Sequence, residues 1–466
     1  MAYGIVDHKR FERAHPLGHV PTVQNELVRE RLRRYRLPGR DTSDAAHRAL
    51  VSSLLVPVEE LPGSERDVRW LLAVDGSEHE EEIDARFPST RILFTQIAGV
   101  LVDLHRLRET DYGFVDPATI ADAQAGSVFA TFLPSSNLPS LEDEEPRRTF
   151  RRELYTLMSE ATVNEINLLD VLVALECSRG ASGDGKREQS AAKSVKCPVC
   201  GKGYDPKLIA RDGSSCPNAA CGETLWPTDA LRIHEAFDPW GPNGAVGTRV
   251  MMVLEHLTLA CLARSIQKKS PAALDDLAFI ADGPLALFGE PARLGRTILT
   301  FWQTLSSKVI EQRGQPPLVL GVEKAGEFVE HARDLGELLE PGHLMLLPVD
   351  YIQSYISSKN SNYGEGTYFG RKFIYRTTDE RIIVFSVPPL AGKGIMPYGS
   401  RPLDLTDYPT LGPACRLLDR IGTRLHEDAI VPVALAHRWA AYPLRTAGTV
   451  LRLHAEEHLA GKGVPV

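Results

Sequence analysis

The chain has 466 residues, 43% of them apolar and 24% charged, and carries a net charge of −8 at pH 7. That length can bury a large core and predicts one elaborated domain with additions. A pI near 6.0 excludes a generally basic nucleic-acid-binding coat, so any contact with nucleic acid falls to local patches such as Arg29–Arg40 or RRTFRR at 147–152. Each patch reads equally as a solvated helix face. No run approaches eighteen uninterrupted apolar residues, and the N-terminal MAYGIVDHKRFERAH has no apolar signal core. A cytoplasmic protein without a membrane span is expected.

Residues 1–66 read as a helical region. Apolar residues recur at helical spacing over 23–35, Pro38-Gly39 stops that helix, and 44–55 forms a second. WLLAVDGS at 70–77 then predicts a buried strand over 70–74 that ends abruptly in Asp75-Gly76. RILFTQIAGVLVDL at 91–104 and SVFATFL at 127–133 give two more strands, arranged as a meander. An acidic link at 139–146 leads to 149–177, long enough for one broken helix or two. Residues 179–196, rich in Gly, Ser, Lys and Ala, read as a flexible linker. Gly180, Gly185 and Lys186 have phosphate-loop spacing, but Arg187 stands where Ser or Thr is required and no strand and helix frame the loop. That reading is rejected.

Beyond a cysteine module at 197–226, residues 248–267 predict a strong helix. LAFIADGPL at 277–285 is a second apolar strand ending in Asp-Gly, and 291–312 is helical. Short strands follow at 318–322 and 344–349, then Gly-rich and alternating β segments over 363–389, and closing helices around 412–426 and 443–459. The pattern is mixed α/β without repeats.

Three of the seven cysteines, Cys177, Cys261 and Cys415, are scattered and read as small core residues. The other four form CPVC, with Cys197 and Cys200, and CPNAAC, with Cys216 and Cys221. Pairs of thiolates on tight turns meet tetrahedrally around zinc, and Gly201 and Gly222 relieve the backbone beside each pair. Four protein ligands leave no open position, so this zinc is expected to be structural. A redox pair or the cores of two hairpins is the alternative. The ribbon reads as an insertion that contacts DNA or a partner.

Asp75 and Asp282 each sit at the mouth of a buried strand, where a carboxylate is costly unless a cation meets it. Each Asp-Gly also reads simply as a turn. Together they suggest a shared divalent site, and two-metal phosphodiester hydrolysis needs several such carboxylates to hold the ions about 4 Å apart. Glu255, in the apolar helix VMMVLEHLTLACLA, is the leading third acid, with Glu153, Glu160 and Glu176 as rivals. His437, in VPVALAHRWAAY, is either a satisfied core histidine or a ligand and proton carrier.

The ordered series AVDGS, an acid-bearing helix, ADGPL, GVEK and ALAH resembles the NurA family of nucleases over residues 50–460. The resemblance implies an RNase H-like mixed sheet flanked by helices, with the zinc ribbon inserted. Residues 67–178 would form the first part of the nuclease core, 179–245 the linker and ribbon, and 246–466 the second part with C-terminal helices. It implies Mn²⁺ or Mg²⁺ held by Asp75, Glu255, Asp282 and His437, with Lys324 of GVEK a basic residue near the site. It also implies a DNA substrate, a homodimer, and a HerA-type hexameric ATPase as partner in DNA end processing or anti-phage defence. The competing expectation is a catalytically inactive adaptor that assembles a DNA-processing complex.

Overall fold

The computed structural model describes residues 17–35, 44–63, 65–84, 86–105, 124–142, 145–178, 195–357, 363–364, 366–399, 401–421, 431–441 and 447–460. Pro38-Gly39, residues 179–194 with the near phosphate loop, and residues 422–426 of the expected closing helix lie outside them.

Nine strands make one mixed sheet. They are β1 (Leu55–Pro57), β2 (Trp70–Asp84), β3 (Phe87–Asp103), β4 (Gln124–Pro134), β5 (Leu277–Asp282), β6 (Leu318–Glu323), β7 (His343–Met345), β8 (Arg371–Arg376) and β9 (Ile382–Val387). Across the sheet the order is β1-β7-β8-β9-β6-β5-β2-β3-β4. The three central strands β2, β5 and β6 are parallel, and the flanks are antiparallel. The parallel trio follows from composition. β5 and β6 are apolar almost throughout and are buried on both faces, as parallel strands must be.

Helices flank the sheet on both faces, except the first two, which bury no residue. They are α1 (Val20–Gln24), α2 (Glu26–Leu32), α3 (Asp44–Ser53), α4 (Pro146–Glu160), α5 (Leu168–Ser178), α6 (Gly244–Lys269), α7 (Leu294–Arg313), α8 (Glu327–Leu335), α9 (Leu411–Ile421), α10 (Val431–Ala440) and α11 (Ala447–Ala460). Strand alternation divides the core. Leu72, Val74, Phe279 and Ala281 pack against α4, α5, α6 and α7. Leu71, Ala73, Ala278 and Ile280 pack against α9 and Ala436 of α10. The fold is therefore α/β, a large mixed sheet flanked by helices.

α6 is the only described helix long and apolar enough to cross a bilayer by length and composition, although polar residues interrupt its apolar run. It is instead the central core helix. Residues from Val246 to Ser265 are buried round most of its circumference, which is why it shows no polar face.

Three sequence expectations need correction. Asp75-Gly76 is not a turn: β2 continues to Asp84, because the polar stretch GSEHEEEID pairs residue for residue with β3, from Gly76 opposite Ile97 to Glu82 opposite Arg91. The helical N-terminal region contains β1, which caps the sheet edge by pairing with β7. The strand expected at 344–349 is only His343–Met345, since Pro348 opens a helical turn at Val349–Tyr351. Within 195–245 the ribbon has its own small core, while Leu231, Ile233 and Phe237 pack into the main one.

The Arg patches also resolve. In RRTFRR, Arg147 donates to the Phe237 carbonyl and Arg148 to Glu223. Arg151 is buried against Glu223 and Asp229, and Arg152 pairs with Glu142. The patch fastens the helical layer to the ribbon, so its charge is largely spent internally. On α2, Arg29 and Arg33 meet Glu26 at the surface, and residues 36–40 lie outside the described set.

Candidate metal centre

β2 and β5 pair only as far as Val74 opposite Ala281. Past that point β2 follows β3, while β5 ends at Asp282 and turns away. The split lies at the carboxyl end of β5 and opens a notch beside the continuing β2, and carboxyl ends of strands are where α/β sheets present ligands. Asp75 lines it from β2 and Asp282 from β5.

The turn after Asp282 depends on glycine. Gly283 has φ +94°, and its N–H donates to the Val322 carbonyl at 2.7 Å, holding the loop onto β6. A Cβ at Gly321 would collide with the Gly283 carbonyl, so the loop can lie this close only over a bare strand.

His437 arrives from α10. Ala436 and Ala440 bury that helix, and Gln96 Nε2 donates to the Trp439 carbonyl at 2.6 Å, satisfying a free carbonyl in the last turn. His437 is exposed (59%) and its Nδ1 lies 2.8 Å from Asp75 Oδ2. Against a carboxylate, Nδ1 is the donor, which leaves Nε2 available to a metal or a proton. One ligand atom from each of Asp75, Asp282 and His437 lies within 4.8 Å of the others. Three residues far apart in the chain thus form one cluster.

Glu255 stands next to this trio rather than within it. Its carboxylate packs over Gly76, where a Cβ would come to 2.6 Å from Oε1. The Gly76 N–H is the shared donor. It reaches Asp75 Oδ1 at 2.8 Å and also supports Glu255. Burial, with Glu255 only 7% exposed, holds its carboxyl well above the ordinary range, reinforced by the charges of Asp75 and Asp282. Asp75, 4% exposed, is pushed up to about 6, first by burial and then by Asp282, against the pull of His437 and Lys324. Lys324 follows β6 and donates to Asp282 Oδ2 at 2.6 Å, a cation already placed at the carboxylates.

The rival acids are elsewhere. Glu153 neighbours Arg152, Glu160 is exposed, and Glu176 is buried against Arg293 at 2.9 Å. Glu255 is the acid that senses Asp75 and Asp282. Gly76 and Gly283 were the positions sequence reasoning passed over, although the repeated Asp-Gly was the signal that could have marked them.

Gly76 supplies a direct check. Gly76→Ala forces its methyl toward Glu255 Oε1, Met251 Cγ (2.6 Å) and Ile97 Cδ1 (2.9 Å). Overpacking of this kind costs about 1–3 kcal/mol. The variant is expected to melt earlier and to bind Mn²⁺ ~10-fold more weakly by calorimetry, as displaced neighbours of metal ligands do. Wild-type affinity would show that Glu255 need not rest on Gly76.

The four module cysteines form a second cluster, again with ligand atoms within 4.8 Å of one another. Cys197 and Cys221 sulfurs are 3.8 Å apart, and those of Cys200 and Cys216 are 3.5 Å apart. Gly201 and Gly222 both have φ +70°, the left-handed turn that lets each knuckle fold back. The Lys202 N–H leads the effects that lower the Cys200 thiol to about 6. The cluster could bind a metal such as zinc. It is a docked ribbon: Arg151 is buried between Glu223 and Asp229, and Tyr155 stacks on Trp226 at 4.3 Å.

The fold and sites thus define an α/β protein with a carboxylate–histidine cluster at a strand notch and a separate four-cysteine cluster. No known protein family matches the chain, and no curated protein does so either.

Proposed function

We propose that the protein is a metal-dependent DNA nuclease that hydrolyses phosphodiester bonds by a two-metal mechanism. The observation that carries this reading is the convergence of Asp75, Asp282 and His437 within 4.8 Å, with Glu255 alongside. Carboxylates clustered at a strand end are what two divalent ions need in order to activate water and steady the leaving oxygen. The mixed oxygen and imidazole donor set suits Mn²⁺ better than Mg²⁺, which prefers oxygen alone. Asp75 and Asp282 would hold the ions, Glu255 would complete the set, and His437 would ligate or carry a proton.

The sheet supports the RNase H-like reading. Three antiparallel strands (β2, β3, β4) are followed, through helices, by two strands parallel to the first (β5, β6), as expected for the core that the NurA resemblance implies. With RRTFRR engaged internally, we assign delivery of the DNA strand to a partner, the HerA-type ATPase implied by the same resemblance. A homodimer in DNA end processing or anti-phage defence fits that assignment.

The test is cleavage of linear DNA by the purified chain in Mn²⁺, with and without the ATPase, comparing wild type with Asp282→Asn and Glu255→Gln. Wild type cuts, and each variant is expected to lose roughly 10²-fold or more of the rate, in the range for removing one stabilising group. A folded wild-type chain that never cuts, even with ATPase and ATP, would replace this reading with the inactive adaptor.

A further inference from the structure

The geometry of α11 points to a third, exposed metal site formed by His454, Glu457 and His458, with the chemistry of a late transition-metal ion. These residues are one helical turn apart and share one face, so their side chains meet without any tertiary help. One ligand atom from each lies within 4.8 Å of the others, and the two imidazoles sit with centroids 4.3 Å apart.

Two further features favour a cation there. His458 Nδ1 is 2.9 Å from the His454 carbonyl. A carbonyl only accepts, so Nδ1 carries the hydrogen and, in the neutral ring, the lone pair resides on Nε2. A backbone carbonyl orienting a ligating imidazole is the usual support around metal-bound histidine. The trio also occupies the last turns of a helix, where the negative end of the backbone dipole attracts positive charge.

The donor set separates this site from the notch. Two imidazoles and one carboxylate suit Zn²⁺, Ni²⁺ or Cu²⁺ and hold Mg²⁺ poorly. Three protein ligands leave a coordination position open to water or to a side chain from another molecule. Ala455, inside the same turns, packs with Ile83, Ile92 and Phe94 of the β2–β3 hairpin, so the trio sits on a docked stretch of helix. A bound ion would therefore staple the last turns of α11 to one another. None of this rests on the nuclease reading.

The experiment uses the full chain carrying Asp75→Asn and Asp282→Asn, so that the notch does not contribute, with zinc kept in the four-cysteine cluster and weakly bound zinc stripped by a mild chelator. It is titrated with Ni²⁺ by calorimetry and with Cu²⁺ by electron paramagnetic resonance. One equivalent of Ni²⁺ is expected to bind, and the Cu²⁺ signal to show coupling to two imidazole nitrogens. Adding His454→Ala and His458→Ala abolishes both, and Glu457→Gln weakens Ni²⁺ binding ~10-fold. His458→Gln, which keeps a helix-forming side chain, should lose the second nitrogen coupling while the circular-dichroism spectrum stays unchanged. The proposal is overturned if Ni²⁺ stoichiometry is zero at the start, if it is unchanged in the double-histidine variant, or if Cu²⁺ shows fewer than two nitrogens.

Discussion

Asp75→Asn is expected to abolish Mn²⁺-dependent cleavage and, at the same time, to raise the melting temperature of the metal-free protein at pH 7. Burial and the neighbouring Asp282 push the Asp75 carboxyl up to about 6 from 3.8. A carboxyl whose folded value is raised prefers the protonated form when folded. Its stabilising contribution is complete below the unfolded value and is lost as pH rises through about 6. At pH 7 the ionised Asp75 therefore costs the metal-free fold roughly 3 kcal/mol, taking about 1.36 kcal/mol for each pH unit of displacement. Asn keeps the shape without the charge and removes that cost.

The same substitution removes a proposed metal ligand, so Mn²⁺ should raise the melting temperature of the wild type and leave that of the variant unmoved. Without added metal, wild-type stability should increase on going from pH 7 toward pH 5, and that gain should shrink in Asp75→Asn. Melting curves across this range with and without Mn²⁺ measure both effects. If Asp75→Asn melts below wild type in metal-free buffer at pH 7, the carboxylate is adequately paired by His437 and Lys324, and the strained-site account of Asp75 is wrong.

Such a stability cost explains why parts of the site were legible in the sequence. Apolar runs closing on Asp-Gly conflict with simple burial, and Asp75 and Asp282 stood out for that reason. Glu255 was visible through the same conflict, as an acid inside the apolar run MMVLEHLTLACLA. Side chains whose placement does not disturb a pattern were harder to read. Gly76 looks like a turn residue, and only the continuing pairing of β2 with β3 shows it to be a gap that admits Glu255. β2 was cut short because GSEHEEEID lacks apolar alternation. Cross-strand pairing over its whole length outweighs that local preference. RRTFRR looked like a surface patch because sequence does not show that Glu223 and Asp229, more than seventy residues later, are its partners. The cysteine pairs were read directly, since their spacing is local.

Removal of the metal from the four-cysteine cluster, or Cys216→Ser, is expected to destabilise far more than the ribbon itself. The ribbon has a core of only Val195, Cys197, Tyr204, Cys216 and Leu225, with two two-residue strands, Ser214–Ser215 and Thr224–Leu225. Segments this short seldom stay folded on apolar burial alone, and structural zinc supplies on the order of 10 kcal/mol in isolated fingers. Once the ribbon opens, Glu223 leaves Arg151, which is 3% exposed and donates to both Glu223 and Asp229. Uncovering one side of a buried ion network costs about 3–5 kcal/mol. The Tyr155–Trp226 stack parts as well, so the loss passes into α4 and the layer that carries α6. The measurement is zinc release, melting temperature and limited proteolysis of wild type and Cys216→Ser, all in the same Mn²⁺-containing buffer. Cleavage between 195 and 226 together with a melting temperature lowered by several degrees is expected. Arg151→Met, which replaces the buried cation with an apolar chain and strands its two carboxylates, should lower the melting temperature while zinc is retained. A Cys216→Ser protein that loses its zinc yet melts with the wild type would show that the ribbon hangs on the helical layer without supporting it.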